Sequence, residues 1–409
     1  MLQSFLKPIK RLRQSYLPGI VTASADDDPS TVSTFSVVGA TTGFSQLWLL
    51  IISTPLLINI HRISARIGDV TRKGIITLVK EKYGRRLALL CVLIFVAANL
   101  LSLLADIVGM AAGFQLLTGE NYIYFIVPLI ILVWYVIVFD NYQAIAKYFF
   151  WFSGIILAYI VAGILARPDW LAVAKAIVLP PINFNMVYVI GALGLLGTSF
   201  SPYALFWQTE EEQEERRNVK DLKKSNRAVT LGFIYSNLVA AFIVISTASA
   251  LSAGSVDLLT VKDIAKALTP VAGPWATKLF GIGLIGSGIL AIPILAISSA
   301  YAVAELFEWT KGLSGSPSRA KGFYSVITIG FLLCLFVLLF ELNPIRLIFY
   351  SQVLVGIITP VILYFILAIA RDAKLMGQHR CRWLSLTAGF FTIFLLALGD
   401  VLVLYFLIK

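Results

Sequence analysis

Charged side chains are scarce in this sequence. Lys, Arg, Asp and Glu make up 13% of its 409 residues, while 59% are hydrophobic. A soluble domain carries about a quarter of its residues as charges. That excludes a water-facing surface over the whole chain, so most of the exterior must face lipid. Histidine is rarer still, with only His61 and His379 present. Both are placed at the inner ends of apolar runs, so no membrane-embedded imidazole is expected to relay protons. The cysteines Cys91, Cys334 and Cys381 lie far apart, which excludes a disulfide framework or a CxxC metal site; they are read as packing residues. The chain contains no HExxH, nucleophile elbow, phosphate loop or His/Asp/Ser constellation, and no enzymatic activity or cofactor is expected.

What the chain has in abundance is long apolar runs. They cover residues 18–41, 45–67, 87–115, 122–139, 144–166, 186–208, 228–253, 277–304, 322–340, 346–370 and 383–408. Each reaches the roughly 17–25 residues that a hydrocarbon core of about 30 Å demands. The sequence thus predicts an all-α integral membrane protein of about eleven transmembrane helices. The net charge is +11, but its distribution is topological. With the N-terminus in the cytoplasm, only Arg167, Lys175, Lys262, Lys266, Lys278, Arg346 and Lys409 of the 33 basic residues fall outside. This bias follows the positive-inside rule, and nucleic acid is not needed as a partner. A cleaved signal peptide is not expected, because Asp residues interrupt the run that follows the basic start. The stretch Arg72–Arg86 is amphipathic and is expected along the inner interface.

Two of the runs carry their own interruptions. The first reads PGIVTASADDDPSTVSTFSVVGATTGF, with Asp26, Asp27 and Asp28 near its middle. Each Asp costs about 2.5–3.5 kcal/mol at a helix centre in lipid. Such a cost is retained where carboxylates face a cavity, find a partner or bind a cation. Pro29 follows at once, lacking an N–H and colliding with the carbonyl four residues earlier, that of Ala25; it also pushes Asp28 out of helical geometry. A break is therefore predicted at 25–30. By the same reasoning, Pro202 in the sixth run releases the carbonyl of Thr198, among Gly197, Ser199 and Ser201. Read structurally, Pro202 would only kink a helix and the acids would reach headgroups, but all three escape the core only if the first span is misplaced by several residues. Matching breaks in runs one and six point to a LeuT-type five-plus-five inverted repeat with its site at the bilayer midplane. The repeats would be 18–166 and 186–370, flanked by a cytoplasmic segment 1–17 and an extra helix 383–408.

At these residues the chain resembles the NRAMP family of divalent-metal transporters. That family carries Asp-Pro-Gly-Asn in its first helix; here LPGIVTASADDDPST leads into VVGATTGFSQLWLL. Further similar segments are RISARIGDVTRKG, LLADIVGMAAGFQLLTG, ARPDW, LFGIGLIGSGI and SQVLVGIITPVILYFILAIARDAKLMG, spread over nearly the whole length. The resemblance implies a cation site in which Asp28 is the metal-binding aspartate, Ala25 supplies a carbonyl, and Thr31 takes the place of the family's Asn. In the sixth helix the family's Ala-X-X-Met-Pro-His becomes Thr198, Ser199, Phe200, Ser201, Pro202 and Tyr203.

The departures carry information. Ser201 stands where the family has a soft thioether, leaving an all-oxygen site suited to Mg²⁺ or Mn²⁺. Mg²⁺ usually keeps several waters, which Asp26 and Asp27 are placed to hold in an outer shell. In this the chain resembles the NRAMP-related magnesium transporters. The family conducts protons with a helix-3 Asp-X-X-Glu pair and the helix-6 His; here Leu103, Asp106 and Tyr203 occupy those places. Weak or absent proton coupling is therefore expected. The alternatives are a proton-coupled Mn²⁺/Fe²⁺ transporter of ordinary NRAMP type and an organic amine or amino-acid permease of the same fold. Three aspartates would repel a substrate carboxylate in the latter.

Other residues remain open or structural at this stage. Gln352 in the tenth run is either a cation ligand or an interhelical hydrogen-bonding group, and Asp106 is an outer-shell acid or a vestige of a proton path. Asn237 is read as an interhelical contact and Asp400 as structural. The run Glu210–Glu215 is read as a solvated helix face, and Tyr203, Phe206 and Trp207 as packing or interface aromatics, Tyr203 also as a gating candidate. The expected partners are a divalent cation and a plasma-membrane bilayer; the sequence leaves the oligomeric state open.

Overall fold

The computed structural model describes residues 23, 26–139, 157–214, 217–251, 259–312, 319–336, 340 and 342–408, and every regular element among them is helical. In chain order the main helices are α1 (Pro29–Thr42), α2 (Leu47–Thr71), α3 (Ile75–Tyr83), α4 (Arg85–Thr118), α5 (Ile123–Phe139), α6 (Ala158–Leu165) and α7 (Trp170–Val178). They continue with α8 (Met186–Ser199), α9 (Pro202–Glu214), α10 (Leu222–Ala250), α11 (Ala276–Phe307), α12 (Lys321–Cys334), α13 (Pro344–Ala370) and α14 (Trp383–Ile408). Every expected apolar run carries helix, although the segment 1–17, residues 18–22 and 24–25, and residues 144–156 lie outside the described residues. Seven helical stretches are long and apolar enough to cross a membrane, with α1 and α2 counted together, and α5 and α12 are shorter apolar helices. Leu89, Leu90 and Leu93 on α4 and Val401 and Leu404 on α14 are exposed, the outward apolar surface that lipid rather than water would cover.

Proline alone does not break these helices. Pro55, Pro128, Pro293 and Pro360 sit inside α2, α5, α11 and α13, which run on through them. Pro29 and Pro202 instead stand at the first positions of α1 and α9, where a missing N–H costs nothing. Both expected breaks are therefore present, the first at Asp27–Asp28 and the second at Phe200–Ser201.

The helices around the breaks pack backbone to backbone. A methyl group built on Gly197 of α8 would lie 2.3 Å from the Gln352 carbonyl oxygen of α13, and one on Gly109 of α4 would lie 2.7 Å from Cβ of Pro29. Helix α4 also runs along α11 through the centre of the bundle.

At the end assigned to the cytoplasm by the charge count, α3 binds two helix C-termini. Lys80 Nζ donates to the Leu306 carbonyl at the end of α11 (3.3 Å), and Lys82 Nζ to the Ala368 carbonyl at the end of α13 (2.6 Å). Both lysines thereby satisfy carbonyls that a helix end leaves without partners and complement its negative pole. The stretch Arg72–Arg86 is helical in its middle, but its apolar face of Ile75, Ile76, Leu78 and Val79 is buried in protein. It is thus a docked helix, because the lysines that looked interfacial have partners on α11 and α13.

Lys82 also pairs with Asp372 at 2.6 Å, and this lysine holds the Asp372 carboxyl below its ordinary range. A depressed carboxyl pKa stabilises the fold above the unfolded value of about 3.9, and that contribution is lost as pH falls through the native value. The pair is partly exposed, so its worth is at most about 1 kcal/mol. The thermal-stability gap between wild type and Asp372→Asn should be measurable near neutral pH and close below about pH 4; a pH-independent gap contradicts this.

Candidate functional site

The first break is organised by hydrogen-bond accounting at the N-terminus of α1. Asp28 is extended (φ −73°, ψ 173°), the geometry proline imposes on the residue before it. A helix begins with several N–H groups that lack carbonyl partners. Here the Thr31 N–H donates to Asp28 Oδ1 at 2.6 Å, the Ser30 N–H to Asp106 Oδ1 of α4 at 3.0 Å, and the Val32 N–H to the Asp28 carbonyl at 3.1 Å. Two carboxylates thus sit at the positive pole of a buried half-helix. The Ser30 hydroxyl adds a second donor to Asp28 Oδ1 at 2.7 Å.

The second break supplies the opposite wall. Thr198 Oγ1 lies 2.7 Å from Thr31 Oγ1, and the Tyr203 hydroxyl on α9 donates to Asp28 Oδ2 at 3.0 Å. The Thr198 carbonyl is released from the helix as expected, but it accepts from the Ser201 hydroxyl at 2.6 Å. One carbonyl lone pair and the Ser201 oxygen remain as acceptors. The structure therefore brings Asp28, Thr31, Thr198, Ser201 and Tyr203 together, with Asp106 behind them. Ala25, expected to offer a carbonyl, lies outside the described residues.

The remaining acids are held by one oxygen each. Asp27 Oδ1 accepts from the Ser236 hydroxyl of α10 at 2.8 Å, while its Oδ2 has no partner. Asp106 Oδ2, Asp26 Oδ1 and Gln352 Nε2 are likewise buried without partners. All four aspartates are at most 3% exposed. Among the described residues none of them pairs with Lys or Arg. Buried carboxylates without a cationic partner are costly, and a bound cation would offset that cost. No three acidic, His or Cys side chains converge on one point among the described residues. The arrangement fits a cation held by few direct protein ligands.

Two participants had no signal in the sequence. Ser30 and Ser236 are ordinary small polar residues, and Ser236 meets Asp27 across 209 positions. Two expectations need correction. The acidic run is not a solvated face: Glu210, Glu211 and Glu212 are 4%, 3% and 1% exposed. Lys311 is held between Glu210 and Glu305, and Arg217 faces Glu212 at 3.3 Å. Burial lowers the Lys311 pKa, but the two carboxylates outweigh it and the net shift is upward. His61 is not at a helix end. It stacks on Phe233 of α10 (ring centroids 3.8 Å apart), buried inside α2 with both ring nitrogens unpartnered. Asn237 is buried on α10, and its Nδ2 has no partner. Tyr203, Phe206 and Trp207 are all buried, and the Tyr203 hydroxyl faces the site through its bond to Asp28.

The family model described as natural resistance-associated macrophage protein-like matches residues 19–407. A divalent metal cation transporter MntH from Aeromonas hydrophila is 23% identical over 388 residues, covering 91% of each chain. A second MntH, from Granulibacter bethesdensis, is 26% identical over 282 residues, 66% of this chain and 63% of its own. Among solved structures, the manganese transporter of Eremococcus coleocola superposes with a TM-score of 0.77 at 18% identity, covering 96% of this chain and 86% of its own. MhsT in complex with L-phenylalanine gives a TM-score of 0.61 at 14% identity, covering 94% and 98%. The fold is accordingly LeuT-type. With a family match over almost its entire length, the chain belongs to the natural resistance-associated macrophage protein-like (NRAMP) family.

Proposed function

We propose that this chain carries a divalent metal cation across the plasma membrane, with a preference for hard ions, Mg²⁺ first and Mn²⁺ as competitor, and with weak or no proton coupling. The observation that carries the reading is the group of buried carboxylates at the first helix break, none paired with Lys or Arg among the described residues, facing a second break that offers only oxygen donors. Carboxylate, hydroxyl, carbonyl and water oxygens suit Mg²⁺ and Mn²⁺, whereas a thioether would favour softer ions. Membership of the family and the names of the MntH relatives and of the Eremococcus manganese transporter support divalent-metal transport as such.

In this reading Asp28, Thr31, Thr198, Ser201, Gln352 and the Ala25 carbonyl contact the ion or its nearest waters. Asp26, Asp27 and Asp106 hold the water shell, since each keeps a bare oxygen able to accept from a bound water. The repeats 18–166 and 186–370 would move about this site, with 383–408 appended and the N-terminus in the cytoplasm. Manganese in the Eremococcus protein's name favours a second reading, a proton-coupled Mn²⁺/Fe²⁺ carrier of ordinary type.

One experiment separates the two. In proteoliposomes carrying an internal pH reporter, a competition series of Mg²⁺, Mn²⁺, Fe²⁺ and Cd²⁺ is expected to show Mg²⁺ and Mn²⁺ competing for one pathway without acidification. Efficient Cd²⁺ or Fe²⁺ uptake with Mg²⁺ inert, or acidification in step with metal influx, supports the ordinary proton-coupled carrier instead.

A further inference from the structure

After Pro29, the first turn of α1 has N–H donors at Ser30, Thr31 and Val32. Two of the three stay within the turn: Thr31 donates to Asp28 Oδ1 at 2.6 Å and Val32 to the Asp28 carbonyl at 3.1 Å. The Ser30 N–H alone reaches another helix, donating to Asp106 Oδ1 of α4 at 3.0 Å across 76 positions. One turn further along α4, Gly109 lies against Pro29, where a methyl group would sit 2.7 Å from the proline Cβ. Residues three apart share a helix face. Asp106 and Gly109 therefore form a two-point seat, one accepting from the turn and the other making room for its proline ring. The seat is tied to α11 in turn. Methyl groups on Gly113 of α4 and Gly281 of α11 would each lie within 2.8 Å of the other's carbonyl oxygen, and Asn99 Nδ2 donates to the Ser298 and Ser299 hydroxyls at 3.0 Å.

We propose that Asp106 is a positioning residue for transport: its Oδ1 docks the first turn of α1 on α4 and so sets where Asp28 presents its carboxylate. This rests on the reading of Asp28 as the cation's ligand. Both donors to Asp28 Oδ1, the Thr31 N–H and the Ser30 hydroxyl, belong to that same turn, so carboxylate and turn move as one body. A turn that slips on α4 also draws Thr31 away from Thr198, its partner across the two breaks at 2.7 Å. The docking role is separate from acidity. It needs an acceptor oxygen opposite the Ser30 N–H, and neither a negative charge nor a transferable proton. Asp106 is 0% exposed, so no bulk water stands ready to replace that acceptor.

Two variants of Asp106 isolate the acceptor. Asn and Leu both remove the charge and share the branched shape of Asp, but only Asn keeps an oxygen for the Ser30 N–H. Uptake of Mg²⁺ and of Mn²⁺ into proteoliposomes is expected to give a KM at least about tenfold higher for Asp106→Leu than for Asp106→Asn, the scale of one buried hydrogen bond. KM is the deciding quantity, because loss of folded carrier lowers the maximal rate and leaves KM alone. A smaller ratio, including equal loss of uptake in both, overturns the proposal, since charge or proton transfer would then be what Asp106 supplies. Gly109→Ala tests the other point of the seat with the Asp106 carboxylate intact. Its KM should also rise at least about tenfold over wild type, and a smaller rise overturns the proposal as well. If one set of variants fails to fold, the other criterion decides alone. Asp28→Asn is assayed in parallel. If it carries both ions as wild type does, the cation reading itself fails. If it loses uptake while either criterion is missed, only the docking role fails.

Discussion

Asp28→Asn should leave the protein folded and lower divalent-cation uptake by on the order of 100-fold, the scale seen when even outer-shell partners of a metal are removed. The choice of Asn separates two roles that Asp28 holds at once. As the N-cap of α1 it accepts from the Thr31 N–H, and Asn caps helices about as well as Asp does. It can also still accept from Tyr203 through its remaining oxygen or rotate to keep the cap. What Asn removes is the negative charge. Asp28→Ala would remove both, adding about 1 kcal/mol of lost cap to any loss of ion binding, and would leave the cause ambiguous. Uptake in proteoliposomes and thermal unfolding in detergent, measured on the Asn variant, check the two parts separately. Uptake within a few-fold of wild type would mean that the cation is held elsewhere.

Gly197→Ala should be nearly as damaging although it adds a single methyl group. That methyl would meet the Gln352 carbonyl at 2.3 Å, the Gly356 nitrogen at 2.7 Å and the Gly356 Cα at 2.8 Å. All three are backbone atoms, so no rotamer change relieves the contact and α8 must move off α13. Overpacking commonly costs 1–3 kcal/mol, and a backbone clash belongs at the top of that range, about 3 kcal/mol. The movement would carry Gln352 away from the breaks and Thr198 away from Thr31, so uptake should fall by at least about tenfold even in protein that folds. Gly330→Ala on α12 is the control. Its methyl would have Leu100 and Leu103 side-chain atoms at 3.8 Å, ordinary contact, and Ala is the better helix former by about 1 kcal/mol. Equal stability and uptake in the Gly197 and Gly330 variants would refute the account of the crossing.

The breaks illustrate how far sequence reasoning reaches. Of Pro29, Pro55, Pro128, Pro202, Pro293 and Pro360, all inside the expected apolar runs, only Pro29 and Pro202 stand at a break. What marks those two is their company. Three acids precede Pro29, and Gly197, Ser199 and Ser201 precede Pro202; such neighbours can satisfy or tolerate freed backbone. Pro128 and Pro293 lie in apolar surroundings, and at Pro55 and Pro360 the preceding hydroxyls of Ser53, Thr54 and Thr359 bond carbonyls of their own helix; helix persists at all four. The acidic run shows the opposite case. Glu210–Glu212 read as solvated because carboxylates usually are, but Lys311 and Arg217 come from outside α9 to meet them. His61 was misjudged for a related reason: α2 continues to Thr71, beyond the point where its apolar character fades.

Local chemistry dictated the long apolar helices of a membrane protein and where two helices must open, since hydropathy and proline sterics act over a few residues. The pairing of Thr31 with Thr198, Asp28 with Tyr203 and Asp27 with Ser236 spans 167, 175 and 209 positions. Contacts of about 3 Å between such distant groups exist only once whole helices have packed. Which oxygen of each acid is held and which stays bare is therefore a property of the folded bundle.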